Sequence, residues 1–134
     1  MPLELSQMYG LLQNPKGSVV AGRMPVAVAR HFGCSLGIVY LSSRSLNHII
    51  IEKRHCEIID LLVLPEMLDR GIWIADRENA ACVAFHPPDT FSTLFCAVKI
   101  VGGGFEPYLS SFYPGKSRQI EAKRQRGMVL QEHR

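Results

Sequence analysis

The chain has 134 residues, 47% hydrophobic and 20% charged, with a formal charge of +3. That length suits one domain, and that apolar share excludes wholesale disorder. No apolar run reaches the roughly 18 residues a membrane helix needs, and Pro2 and Glu4 break the pattern of a secretory signal, so no membrane partner and a bacterial-type cytoplasm are expected.

The cysteines, at 34, 56, 82 and 96, form no C-x-x-C pair. A zinc site is therefore not expected, and three of the four lie in or beside apolar runs as reduced core residues. The basic charge is a C-terminal property. Lys116 to Arg134 holds six basic and two acidic residues, while the rest of the chain holds nine basic and ten acidic. Such a segment can attract a polyanion such as RNA, or can be a solvated helix and tail.

In chain order, Leu3, Leu5, Met8, Leu11 and Leu12 have helical spacing, ended by Asn14-Pro15-Lys16-Gly17. Pro25 suits a first helical turn and Gly33 its stop. Val39-Tyr40-Leu41 reads as a short strand, and Ser42 or Ser43 as the cap of a helix that runs to His55. Leu46, Ile49, Ile50 and Lys53 share one side of that helix. At about 100° per residue, His48, Glu52 and His55 share the other. A second helical pattern spans Glu57 to Arg70, with a new turn or kink at Pro65 and a stop at Gly71. Four strand patterns follow, at Ile72–Ala75, Cys82–His86, Leu94–Val101 and Tyr108–Tyr113. Gly102-Gly103-Gly104 is a hairpin signal, and Pro107 marks a bulge or an edge. Ser117 can cap a last helix, Arg118 to Arg126. Short links between successive strands predict an antiparallel meander, hence an α+β domain with helices on one face of a four-stranded sheet.

Three sets of residues could carry chemistry. His55 is an imidazole beside Lys53 and Arg54, suited to general acid or base work or to the end of a helix. His48 shares its face, and His86 ends a strand before Pro87-Pro88. Lys99 interrupts an apolar strand and, by alternation, shares a face with Phe95, Ala97 and Val101. It either snorkels or supplies a fixed cation for phosphate. The strand Tyr108-Leu109-Ser110-Ser111-Phe112-Tyr113 offers hydroxyls and rings. Strict alternation puts Ser111 and Tyr113 on one side and Tyr108, Ser110 and Phe112 on the other.

Val39-Tyr40-Leu41-Ser42, the segment ending Lys53-Arg54-His55, the strand with Ala97-Val98-Lys99, and Tyr108 to Tyr113 together resemble the phage-associated barnase–EndoU–colicin–RelE-like nucleases (PBECR). The likeness covers residues 38–130, which would form the nuclease domain behind an N-terminal helical extension, 1–37, with a tail at 131–134. The resemblance implies helices packed on a four-stranded antiparallel sheet, as in barnase and RelE. It also implies metal-independent endoribonuclease activity and no cofactor, in a protein of phage or prophage origin. The implied partner is RNA, such as tRNA or rRNA. By position it makes His55, Lys99 and Ser111 catalytic, and Arg54, Ser110, Tyr113 and Tyr108 substrate-binding. In that chemistry the RNA 2′-hydroxyl attacks phosphorus. An acid and a base move protons, and cations offset the developing charge. One alternative is an inactive phage accessory or structural module that binds RNA or protein. Another is a toxin held by an antitoxin or immunity protein. Glu106, beside the glycine-rich turn, is a candidate second acid or base.

Overall fold

The computed structural model describes residues 3–34, 37–54, 56–77, 79–88, 90, 92–101 and 106–132. The chain runs α1 (Leu5–Leu12), β1 (Ser18–Arg23), α2 (Val26–Phe32), β2 (Ile38–Ser42), α3 (Ser43–Asn47), a π-helical turn (His48–Glu52) and a 3-10 turn (Ile58–Val63). It continues with α4 (Leu64–Arg70), β3 (Ile72–Arg77), β4 (Ala80–Phe85), β5 (Thr93–Val101), β6 (Glu106–Gly115), α5 (Arg118–Arg126) and β7 (Met128–Gln131).

Seven strands form one sheet in the order β1-β2-β6-β5-β4-β3-β7. All neighbours are antiparallel except β2 and β6, which meet in parallel at Tyr40 and Tyr108. The α+β class holds, but the expected four-stranded antiparallel sheet does not. Strands β3 to β6 are the predicted meander. The N-terminal β1 and β2 extend it along β6, and β7 extends it beyond β3. The crossover through the helices between β2 and β3 brings β2 beside β6 in the parallel sense. The boundary drawn between residues 37 and 38 therefore runs between two paired strands.

Alternation sorts the side chains. Val39 and Leu41 of β2, Cys96, Val98 and Ile100 of β5, and Leu109 and Phe112 of β6 all point into one buried core. Met8 and Leu11 of α1, Val28 and Phe32 of α2, Leu46, Ile49, and Leu64, Met67 and Leu68 of α4 cover that face. Helix α4 reaches both ends of the sheet. A Cβ on Gly22 of β1 would lie 2.9 Å from Leu68 Cδ1, a close approach that glycine permits. On the other side the Gln131 amide donates to the Asp69 carbonyl at 3.1 Å. Among the described residues, α5 is the helix on the outer face, where Ile120 and Tyr113 pack with Ile72, Cys82, Ala84 and Phe95 in a small separate cluster.

Local signals mostly did what their chemistry dictates. Gly33 ends α2 at φ 72°, a left-handed cap suited to glycine. Ser42 caps α3, its hydroxyl accepting from the Ser45 amide at 3.1 Å. Pro65 opens α4 in the first turn, where no amide is missed. The helix expected from Ser43 to His55 is interrupted. After Asn47 the bonding widens by one residue, the Lys53 amide donating to the His48 carbonyl at 2.9 Å. Arg54 then takes φ 54°, a conformation rare outside glycine. The Gly102-Gly103-Gly104 turn and His55 lie outside the described residues.

All four thiols are free, and burial raises the pKa of each. Burial, and then the Asp60 carboxylate, push Cys56 up to about 11. The thiolate is the reactive form, so alkylation of the native chain at pH 8 will be slow and will accelerate as pH approaches 11. Mass spectrometry of iodoacetamide-treated protein measures this. Rapid modification of Cys56 at pH 8 would contradict the environment described.

A candidate nucleic-acid interface on the outer sheet face

The bulge between β5 and β6 determines what the outer face presents. Ala97 pairs with Ser111, but Val98 pairs with Leu109, so Ser110 is the extra residue. Its hydroxyl donates to the Ala97 carbonyl at 3.3 Å. The slip returns Leu109 and Phe112 to the same buried face although they are three residues apart. It also brings Tyr108 onto the face of Ser111 and Tyr113. Strict alternation, which separated Tyr108 from those two, fails here because an extra residue reverses the phase.

Lys99 sits opposite Tyr108 in the β5–β6 register and is exposed. Tyr108 in turn sits beside Tyr40 of β2, ring centroids 5.6 Å apart and planes inclined by 38°. Three neighbouring strands thus place Tyr40, Tyr108 and Lys99 in one row. Ser111 and Ala97 form the next row. Glu106 lies two residues before Tyr108 on the same face, and its Oε2 accepts the Tyr108 hydroxyl at 3.2 Å. Burial, followed by the Glu106 carboxylate, raises the Tyr108 pKa above the ordinary phenol value, so Tyr108 keeps its proton at neutral pH.

Tyr113 continues the face toward α5. It stacks on Phe95 with centroids 5.5 Å apart, and Lys123 Nζ lies 5.6 Å from the Phe95 centroid. Burial works against the Lys123 charge, but Cys82 and the Tyr113 hydroxyl outweigh it and hold its pKa above the usual lysine value. Arg118, Lys123, Arg124 and Arg126 make α5 a basic flank, and Arg124 is tied to Glu132 through two N–H donors.

The other predicted residues lie elsewhere. Arg54 is in the helical layer, its Nε donating to the Ile51 carbonyl at 3.2 Å. It lines a groove of about 870 Å³ with Tyr9, Ile58, Ile59 and Asp60. Cys56 and Asp60 also line a cavity of about 470 Å³ against Leu94, Phe112 and Pro114. That cavity lies at the Thr93 end of β5, about 17 Å along the strand from Lys99, on the opposite face. The sheet therefore joins Lys99, Tyr108, Ser110, Ser111 and Tyr113 and leaves Arg54 apart.

Two histidines have structural partners. His48 Nδ1 meets Glu52 Oε2 at 2.6 Å on the exposed side of the π-helical turn. His86 Nε2 donates to the Thr90 carbonyl at 2.9 Å, which leaves Nδ1 to accept from Thr93 Oγ1 at 3.3 Å. Thr93 Oγ1 is 2.9 Å from Ser117 Oγ, so this chain of bonds ties the β4–β5 connection to the start of α5. Among the described residues, no three His, Cys, Asp or Glu side chains gather as a metal site, and no helix is long and apolar enough to cross a membrane.

Sequence reasoning missed Tyr40 as a site residue. Its position between buried Val39 and Leu41 marks it as outward-facing, but its pairing with Tyr108 is a long-range fact. Comparison with protein-family models, with curated proteins and with solved structures gives no significant match to this chain.

Proposed function

We propose that the chain binds single-stranded RNA across the outer sheet face and cleaves it without a metal, the 2′-hydroxyl attacking the adjacent phosphate. The observation that supports this reading is the row of Tyr40, Tyr108 and Lys99. Aromatic faces stack on unpaired bases, and a fixed ammonium offsets phosphate charge. The Tyr108 hydroxyl gives its one hydrogen to Glu106, and Ser111, one row away, supplies a hydroxyl donor for phosphate. The basic α5 steers the polyanion, so binding falls with salt. The resemblance gives His55 the acid or base role, but its chain neighbours Arg54 and Cys56 lie on the helical side of the sheet, opposite Lys99, so His55→Ala tests a contribution apart from the outer face.

The assay is a gel of labelled RNA with wild type, Lys99→Ala, Tyr108→Phe and His55→Ala, with and without EDTA. The expected products carry 2′,3′-cyclic phosphate ends, form equally in EDTA and do not form from DNA, which lacks the nucleophile. Full-rate cleavage by Lys99→Ala, or a requirement for Mg²⁺, would overturn the reading. An inactive RNA-binding module is the second reading. It is favoured by the placement of Arg54 and Lys99 on opposite sides of the sheet, and RNA binding without cleavage identifies it.

A further inference from the structure

We propose that Cys82 and Lys123 form an oxidative crosslinking site, at which hydrogen peroxide joins the thiol sulfur to the lysine nitrogen through one oxygen. The site lies on the outer sheet face beneath α5, and its chemistry is independent of RNA binding. Cys82 and Ala84 of β4 share that face. Register places Ala84 opposite Phe95, and Phe95 opposite Tyr113. Helix α5 crosses this patch with Ile120 packed against it. One turn on, Lys123 returns over the Phe95 ring, its Nζ 5.6 Å from the centroid. There the ammonium makes hydrogen-bonding contact with both the Cys82 thiol and the Tyr113 hydroxyl. A lysine that lies along apolar surface ordinarily carries its head out to water. Here the head rests on a buried thiol. Among the described residues, Cys82 is the thiol with such a neighbour.

The reaction balances with two peroxides. The first takes the Cys82 thiol to a sulfenic acid and leaves one water. The second oxidises the nitrogen. An N–O bond forms to the sulfenic oxygen, the sulfenic hydrogen and one amine hydrogen depart, and two waters leave. Sulfur gives two electrons in the first step and nitrogen gives two in the second, one pair to each peroxide. The ammonium first sheds its extra proton to solvent. Burial raises the Cys82 pKa, and the Lys123 charge offsets part of that rise, which favours the thiolate that peroxide attacks. Sulfur and nitrogen are already in contact in the folded chain, so the second step needs no rearrangement of the sheet. The bridge ties β4 to α5 and removes the Lys123 charge from the basic flank.

The full chain is treated with hydrogen peroxide and read by intact mass and tryptic peptide mapping, beside Cys82→Ala and Lys123→Arg. The arginine variant keeps the charge over Phe95 but lacks the amine. The dose is one that oxidises Cys82 in the urea-unfolded chain. The expected product gains one oxygen and loses two hydrogens, and links the peptides that carry Cys82 and Lys123. Tryptic cleavage after Lys123 is lost with it, and dithiothreitol restores both the starting mass and the cleavage. Cys82→Ala and Lys123→Arg should each abolish the product. The proposal is overturned by oxidation of Cys82 to sulfinic or sulfonic acid with no link to Lys123, or by a link that lacks the added oxygen. It is equally overturned by the same product in Lys123→Arg, or by a Cys82 left unmodified in the folded chain.

Discussion

Lys99→Ala is expected to weaken single-stranded RNA binding by about tenfold and to slow cleavage by about a hundredfold. The side chain is exposed, so its removal leaves no cavity and no unpaired buried group. Thermal unfolding should therefore be unchanged. The effect has a charge signature. Losing one phosphate contact lowers the slope of log affinity against log salt by about 0.7 for a single strand. Lys99→Arg keeps the charge and should recover most of the binding. Anisotropy titrations at several salt concentrations measure all of this, and an unchanged salt slope in Lys99→Ala would remove Lys99 from the interface.

Trp73→Ala is expected to give the largest loss of stability, about 3–5 kcal/mol. Trp73 is fully buried on β3, between Val83 of β4 and Gln131 of β7. Its indole N–H donates to the Leu68 carbonyl at 2.8 Å, which pins the last turn of α4 to the sheet. Truncation leaves a cavity and frees that carbonyl. Trp73→Phe fills most of the space and loses only the donor, so it should cost less, about 1–3 kcal/mol. Trp73 is the sole tryptophan, so denaturation of these variants is followed by circular dichroism. Equal losses in the two variants would mean that the hydrogen bond, not the volume, dominates.

Elements specified by neighbours in sequence were legible. The last helix spans Arg118–Arg126 as composition predicted, although Ser117 makes no cap bond and meets Thr93 Oγ1 instead, and Gly33 and Gly71 end their helices. The strands of the meander lie within a few residues of their predicted limits, because short turns and alternation are local signals. The edge strands were not legible. Ser18–Arg23 carries Gly22 and a bulge, and Met128–Gln131 is only four residues long. Each becomes a strand through a partner distant in sequence.

The candidate site divides along the same line. Lys99 stood out because a charge interrupted an apolar strand. Tyr108 was assigned to the wrong side because the bulge at Ser110 depends on how β6 pairs with β5, which no period within β6 reveals. The helical phase of His48 and His55 assumed an unbroken α-helix. The run Ile49-Ile50-Ile51 gives an apolar surface without revealing that the turn widens to π geometry.

Backbone amide NMR of the full chain, titrated with single-stranded RNA, tests the assignment of the outer face most directly. The predicted result is a set of shift changes centred on Tyr40, Lys99, Tyr108 and Ser111. Changes confined to Tyr9, Arg54 and Ile59, around the groove on the helical side, would contradict it.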